Sequence, residues 1–205
     1  MSEESWLWFD VDDVLVDTSA ELERSLRKLT GLHLPSHQWA SHSFTDTYGL
    51  RPHQLEDMRA AWERDEVLER ALPFDGAAEA LRMAARKGYH VGLITARGWH
   101  PEGREITEAM ARDLGMPVER VLLLKFEDSK RDLLLSTGTR VAGFLDDTAR
   151  HVEGARSCGW DGRLVTRSWN VGFDLPRVGS TFEFVDSLPP APSAARRPAP
   201  RAPKP

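Results

Sequence analysis

The chain has 205 residues, 40% hydrophobic and 29% charged, with a net charge of −5. That balance suits one soluble domain with a small insertion, and no apolar run reaches the roughly 20 residues of a membrane span. Basic residues gather after Leu188, where Arg196, Arg197, Arg201 and Lys204 occur without an acid, so the rest is more acidic than the total and poorly suited to a broad nucleic-acid-binding face.

The acidic start, MSEES, runs straight into an apolar stretch and does not read as a signal peptide. A lone cysteine, Cys158, cannot form an internal disulfide, which points to a reducing, cytoplasmic location. Trp6, Leu7, Trp8 and Phe9 predict a buried strand. Behind them Asp10, Asp12, Asp13 and Asp17 are interleaved with Val11, Val14, Leu15 and Val16. Buried ionised carboxylates are costly unless a cation or donors compensate them, so these acids either sit at a solvated turn or hold something positive.

Residues 17–34 predict a helix, with Leu22, Leu26 and Leu29 at helical spacing and Gly31 as its stop. Residues 35–50 are mixed and rich in His, Ser and Thr, and residues 52–70 predict a second helix through Leu55, Met58, Trp62 and Leu68. His33, His37, His42 and His53 lack the tight spacing of a zinc site and read as solvated. A turn and a helix from Ala77 to Lys87 follow, then the strand "YHVGLITAR" and the helix "EGREITEAMARDLG". Next come the strand "RVLLLKF", a helix in "DSKRDLLLSTG" with Asp128 and Ser129 as capping candidates, and the strand "RVAGFLDDT". The helix "TARHVEGARSCG" and the strand "GRLVTR" close the series, and the Pro/Ala-rich tail from 188 to 205 cannot bury a core and should be disordered.

Strands alternating with helices predict an α/β fold, a Rossmann-like parallel sheet covered on both faces. The catalytic core should comprise residues 1–17 and 73–187, with residues 18–72 as a small helical cap. Ligands of such sheets bind at the C-terminal strand ends, where Asp10 and Asp12, Thr95, and Asp146 and Asp147 fall in this sequence. Two acids on alternate positions can divide the work. One acts as nucleophile and metal ligand, the other donates a proton. Mg²⁺ would suit the oxygen-rich acids and screen their repulsion from a phosphate. A hydroxyl can hold a phosphoryl oxygen, and a lysine can pair with nucleophile and phosphate.

"FDVDDVLVDT", "GLITAR", "SKRDLL" and "GFLDDT", in that order, resemble the four motifs of the haloacid dehalogenase (HAD) superfamily, across about residues 6–170. The resemblance implies the HAD fold with a C1 cap and an aspartyl-phosphate mechanism. It makes Asp10 the nucleophile, Asp12 the general acid/base whose backbone carbonyl binds metal, and Thr95 the phosphate-binding hydroxyl. It makes Lys130 the lysine, with Lys125 as competitor, and Asp146 and Asp147 the pair completing the Mg²⁺ shell with Asp10 and Asp12. Phosphatases of the family keep an acid at the Asp12 position and dehalogenases lack it; Asp13 stands where glycine is common.

"LPFDGAAEAL", "LITARGWH", "FLDDTARHVEGA" and "VTRSWN" further resemble the 5'(3')-deoxyribonucleotidase-like branch. The expected activity is therefore Mg²⁺-dependent hydrolysis of a small phosphomonoester, with a nucleoside monophosphate first. The alternatives are a polynucleotide 3'-phosphatase and a catalytically idle phosphate-binding scaffold. Arg97, Trp39 and Trp62 are the candidate substrate contacts, and Trp169 and Asn170 candidates for the site floor.

Overall fold

The computed structural model describes residues 4–41, 43–51 and 53–192. Its centre is a parallel sheet of six strands: β1 (Ser5–Phe9), β4 (His90–Thr95), β5 (Arg120–Leu123), β6 (Arg140–Asp146), β7 (Asp161–Val165) and β8 (Arg177–Val178). Their spatial order is β5-β4-β1-β6-β7-β8. β1 is buried along its whole length, which explains a continuous apolar run in place of polar alternation. Successive side chains still point to opposite faces. Leu7 and Phe9 join a cluster with α5 (Ala77–Arg86), α6 (Gly103–Asp113) and α9 (Thr181–Ser187). Trp6 and Trp8 join the opposite cluster, with α7 (Lys130–Ser136) and α8 (Ala149–Ser157). Gly92 makes room for the Trp8 ring, which a Cβ there would approach to 2.4 Å.

β1 lies between β4 and β6, the point at which the winding of the sheet reverses direction. A crevice opens beyond the carboxyl ends of strands at such a point, and here it lies beside Asp10.

A two-stranded antiparallel stem, β2 (Val16–Asp17) with β3 (Leu72–Pro73), joins a helical segment to the sheet. The segment holds α1 (Thr18–Thr30), α2 (Phe44–Tyr48), α3 (Gln54–Arg64) and α4 (Val67–Arg70). It has its own apolar cluster, including Leu22, Leu26, Trp39, Met58 and Trp62, to which Trp169 from beyond β7 is added. The Asp17 carboxylate caps α1 by accepting from the Ala20 N–H, and Gly31 ends it in the left-handed conformation at φ 74°. The single helix expected over 52–70 is in fact two, because Glu66 at φ 54° breaks the run between α3 and α4.

β8 and α9 were not expected; two and seven residues are too short for a periodic pattern to register. The expected start of the tail at residue 188 is corrected. Leu188 and Ala191 are buried, the Ala191 N–H donates to the Lys87 carbonyl at 2.8 Å, and the Tyr89 hydroxyl donates to the Pro189 carbonyl at 2.8 Å. The remaining tail, 193–205, and His42 lie outside the described residues. Among the described residues no helix is long and apolar enough to cross a membrane.

Candidate active site at the carboxyl end of the sheet

Asp10 is the first residue beyond β1, and its N–H is tied to the Leu145 carbonyl of β6 at 2.9 Å. That bond sets it beside Asp146, the last residue of β6, and Asp147. All three are buried, and each offers a carboxylate oxygen within 4.8 Å of the others. Lys130 opens α7 behind the Ser129 cap and is 2% exposed. Its Nζ donates to Asp146 Oδ2 at 2.8 Å and lies 2.8 Å from Asp10 Oδ1. The contact with Asp10 is an ion pair outside ideal hydrogen-bond geometry, and among the described residues no other donor reaches the buried Oδ1. Lys125, the competing lysine, is exposed.

Burial raises the Asp10 carboxyl well above its usual range; Lys130 opposes this, while Asp146, Asp147 and Asp12 add to it. One buried ammonium does not balance three clustered carboxylates. A hard divalent cation would, and the all-oxygen donor set of the three acids suits one. Asp147 is held by the Trp169 indole N–H at 2.8 Å on Oδ2, while Asn170 Nδ2 bonds the Asp147 and Val165 carbonyls, both at 2.8 Å. These two residues therefore anchor the second acid.

The Asp12 carboxylate is turned away from this group, and the metal contact expected of Asp12 is through its backbone carbonyl. The carboxylate lies on Arg97, which donates from Nη2 at 2.7 Å and from Nε at 3.1 and 3.0 Å. The hydroxyls of Thr18, at 2.6 Å, and Thr95, at 3.1 Å, complete its shell. Burial works to raise the Asp12 carboxyl, but Arg97, Thr18 and Thr95 together hold it below its usual range. Thr95 is fully buried and its hydroxyl is engaged by Asp12.

A cavity of about 360 Å³ stands over the acids. Asp10, Asp12, Asp13, Lys130 and Asp147 form its floor, and Phe44, Trp62, Trp99 and Phe126 give it aromatic walls. Phe44 and Trp62 meet edge to face at 5.0 Å between centroids, and Trp62 and Trp99 at 5.8 Å. Trp62 is thus at the cavity. Two expectations are corrected. Arg97 is fully buried against Asp12 and does not line the cavity. Trp39 does not line the cavity; buried in the segment's core like Trp62, it donates its indole N–H to the Leu34 carbonyl and packs on Tyr48 and Trp169.

Sequence reasoning passed over Thr18, Trp99, Phe126, Arg150 and His151, all of which line the cavity. The last two follow the "LDDT" acids closely enough that their position was a usable signal. It also took Asp13 as a tolerated replacement for glycine. Asp13 does adopt φ 59°, the left-handed region that favours glycine. Its carboxylate also accepts from the Ser19 N–H at 2.9 Å and hydroxyl at 2.7 Å. Burial and then the neighbouring Asp147 push the Asp13 carboxyl up to about 8.

No family model matches this sequence. No curated protein matches it either. Solved structures share its fold. A protein described as a haloacid dehalogenase-like hydrolase from Bacteroides fragilis aligns over 88% of this chain and 99% of its own, with TM-score 0.66 and 16% identity. One described as a phosphoglycolate phosphatase from Lactobacillus delbrueckii subsp. bulgaricus aligns over 91% and 98%, with TM-score 0.61 and 14% identity. CbbY from Rhodobacter sphaeroides, in complex with phosphate, aligns over 88% and 96%, with TM-score 0.60 and 17% identity. At these identities the likeness is one of fold, and the expected Rossmann-like HAD fold is borne out.

Proposed function

We propose that this chain is a Mg²⁺-dependent phosphomonoester hydrolase of the HAD type, acting through an aspartyl-phosphate on Asp10, with residues 18–72 as its C1-type cap. The observation that carries the reading is Lys130 set between Asp10 and Asp146, at the floor of a cavity at the switch point of the sheet. The Asp10 carboxylate attacks phosphorus, and Lys130 pairs with the nucleophile and the phosphoryl oxygens. Asp12, as general acid/base, gives a proton to the departing alcohol and later takes one from the attacking water. A Mg²⁺ ion held by Asp10, Asp146 and Asp147, with the Asp12 carbonyl that the family resemblance implies, would offset the repulsion between carboxylate and phosphate.

A nucleoside monophosphate is the substrate we favour, in keeping with the deoxyribonucleotidase-like motifs. Support comes from the aromatic walls, whose rings suit a planar base, and from the Trp62 indole N–H, buried without an acceptor among the described residues. The phosphatase description of one fold neighbour and the phosphate bound to another lend weight to phosphomonoester chemistry. The half-buried, lone Cys158 is in keeping with a reducing cytoplasm.

The test is turnover of p-nitrophenyl phosphate and a panel of nucleoside and sugar monophosphates, with Mg²⁺ and with excess chelator. Turnover should need Mg²⁺ and vanish in Asp10→Asn. Undiminished turnover in chelator would remove the metal from the mechanism; an active Asp10→Asn would remove the nucleophile.

A further inference from the structure

We propose that Arg97 is the positioning residue of Asp12, a buried guanidinium that fixes the direction of that carboxylate at the cavity floor without touching substrate. The inference rests on the phosphatase reading above. Arg97 follows β4 by two residues, and its side chain is 1% exposed where that of Asp12 is 27% exposed. The carboxylate, not the guanidinium, therefore reaches the cavity.

Both ends of the guanidinium are tied. Nε and Nη2 hold the two Asp12 oxygens, while Nη1 donates to Thr107 Oγ1 at 3.3 Å on α6. Thr107 in turn donates to the Gly103 carbonyl at 2.7 Å. The backbone that carries Arg97 is closely packed against its neighbours. The Gly98 N–H bonds the Leu124 carbonyl at 3.1 Å, and a Cβ at Gly98 would lie 2.8 Å from that oxygen. A Cβ at Gly103 would lie 2.3 Å from the Arg97 carbonyl oxygen. A rigid support of this kind keeps a reacting group within the narrow range of productive geometry.

Thr18 and Thr95 add hydroxyl donors from α1 and β4, so Asp12 is gripped from three elements at once. Turning it out of that grip would leave a buried guanidinium without its counter-ion, a strongly unfavourable state. Asp12 therefore acts from where it is held. In the second half of the reaction, water bonds to phosphorus and the bond from phosphorus to the Asp10 oxygen breaks. The water's proton passes to Asp12, free phosphate leaves, and Asp10 is restored as a carboxylate. The proton on Asp12 then departs with the next alcohol.

The experiment is a double-mutant cycle of Arg97→Gln with Asp12→Asn, read by steady-state kinetics and by acid-quenched phospho-Asp10 with p-nitrophenyl phosphate. Arg97→Gln should lower kcat by roughly 10²-fold, the worth of one general acid/base group. KM should stay within about 3-fold, since no ground-state contact with substrate is lost. Phospho-Asp10 should accumulate, and in the Asp12→Asn background the Arg97 change should cost almost nothing more, since the two act as one unit. Arg97→Lys, which supplies charge without the two-pronged fork, should recover part of kcat, and it carries the cycle if the Gln variant does not fold. A raised KM with kcat retained would make Arg97 a substrate contact and overturn the proposal. Additive losses in the double mutant would overturn it too, by showing that Arg97 does not act through Asp12. A wild-type protein that turns over no phosphomonoester would instead bring down the phosphatase reading itself, and this inference with it.

Discussion

Replacing Lys130 by Met tests the electrostatics of the site without changing its volume much. The lysine is 2% exposed and stands 2.8 Å from both Asp10 Oδ1 and Asp146 Oδ2. Its removal leaves buried carboxylates with no cation, and breaking a buried pair in this way costs about 3–5 kcal/mol. For a domain of this size each kcal/mol moves Tm by about 2–4 °C, so the expected fall is about 6–20 °C. The loss should depend on pH. Burial already raises the Asp10 carboxyl well above its usual range, and without Lys130 it rises further. A carboxyl whose pKa is raised on folding favours the folded state at low pH, and that contribution is lost as pH rises through the folded value. The deficit of the variant should therefore be small at pH 5 and grow toward pH 8. A dication binding only the folded site stabilises by about 2.7 kcal/mol at a hundred times its Kd, so Mg²⁺ should restore part of the loss. The assay is calorimetry from pH 5 to 8, in chelator and in Mg²⁺. A Tm equal to wild type at pH 8 in chelator would refute the reasoning, because it would mean that the acids do not need the ammonium.

Changing Phe44 or Trp62 to Leu should alter preference between a nucleotide and a minimal aryl phosphate, since both rings line the cavity; an equal loss on every substrate, measured as kcat/KM, would show that these rings do not select. Removing residues 193–205 should leave Tm and turnover unchanged. Removing 189–205 should lower Tm, because it also takes away the Ala191 bond to Lys87 and the Tyr89 bond to Pro189, each worth about 0.5–1.5 kcal/mol; equal Tm values for the two truncations would contradict this.

Local pattern determined much of this protein. The apolar run from Trp6 to Phe9, the helix that stops at Gly31 and the strand–helix alternation after Leu72 each depend on residues a few positions apart, and the structure repeats them within a few residues. The acids at strand ends were legible for the same reason, since a polar group directly after a buried strand has few places to go. Pattern could not reach β8 or the break at Glu66, where an element is too short or one residue leaves the helical region. Nor could it choose partners. The motif resemblance favours Lys130 over Lys125, but only the start of α7 beside β6 buries it among the acids. Trp39 and Trp62 look alike in an aromatic segment and both are buried in its core, yet helix packing brings only Trp62 to the cavity wall as well. Arg97 read as a substrate contact because its nearest acid in space, Asp12, lies 85 positions away in the chain. That meeting is decided by β1 and β4 lying side by side in the sheet, which no spacing of neighbouring residues records.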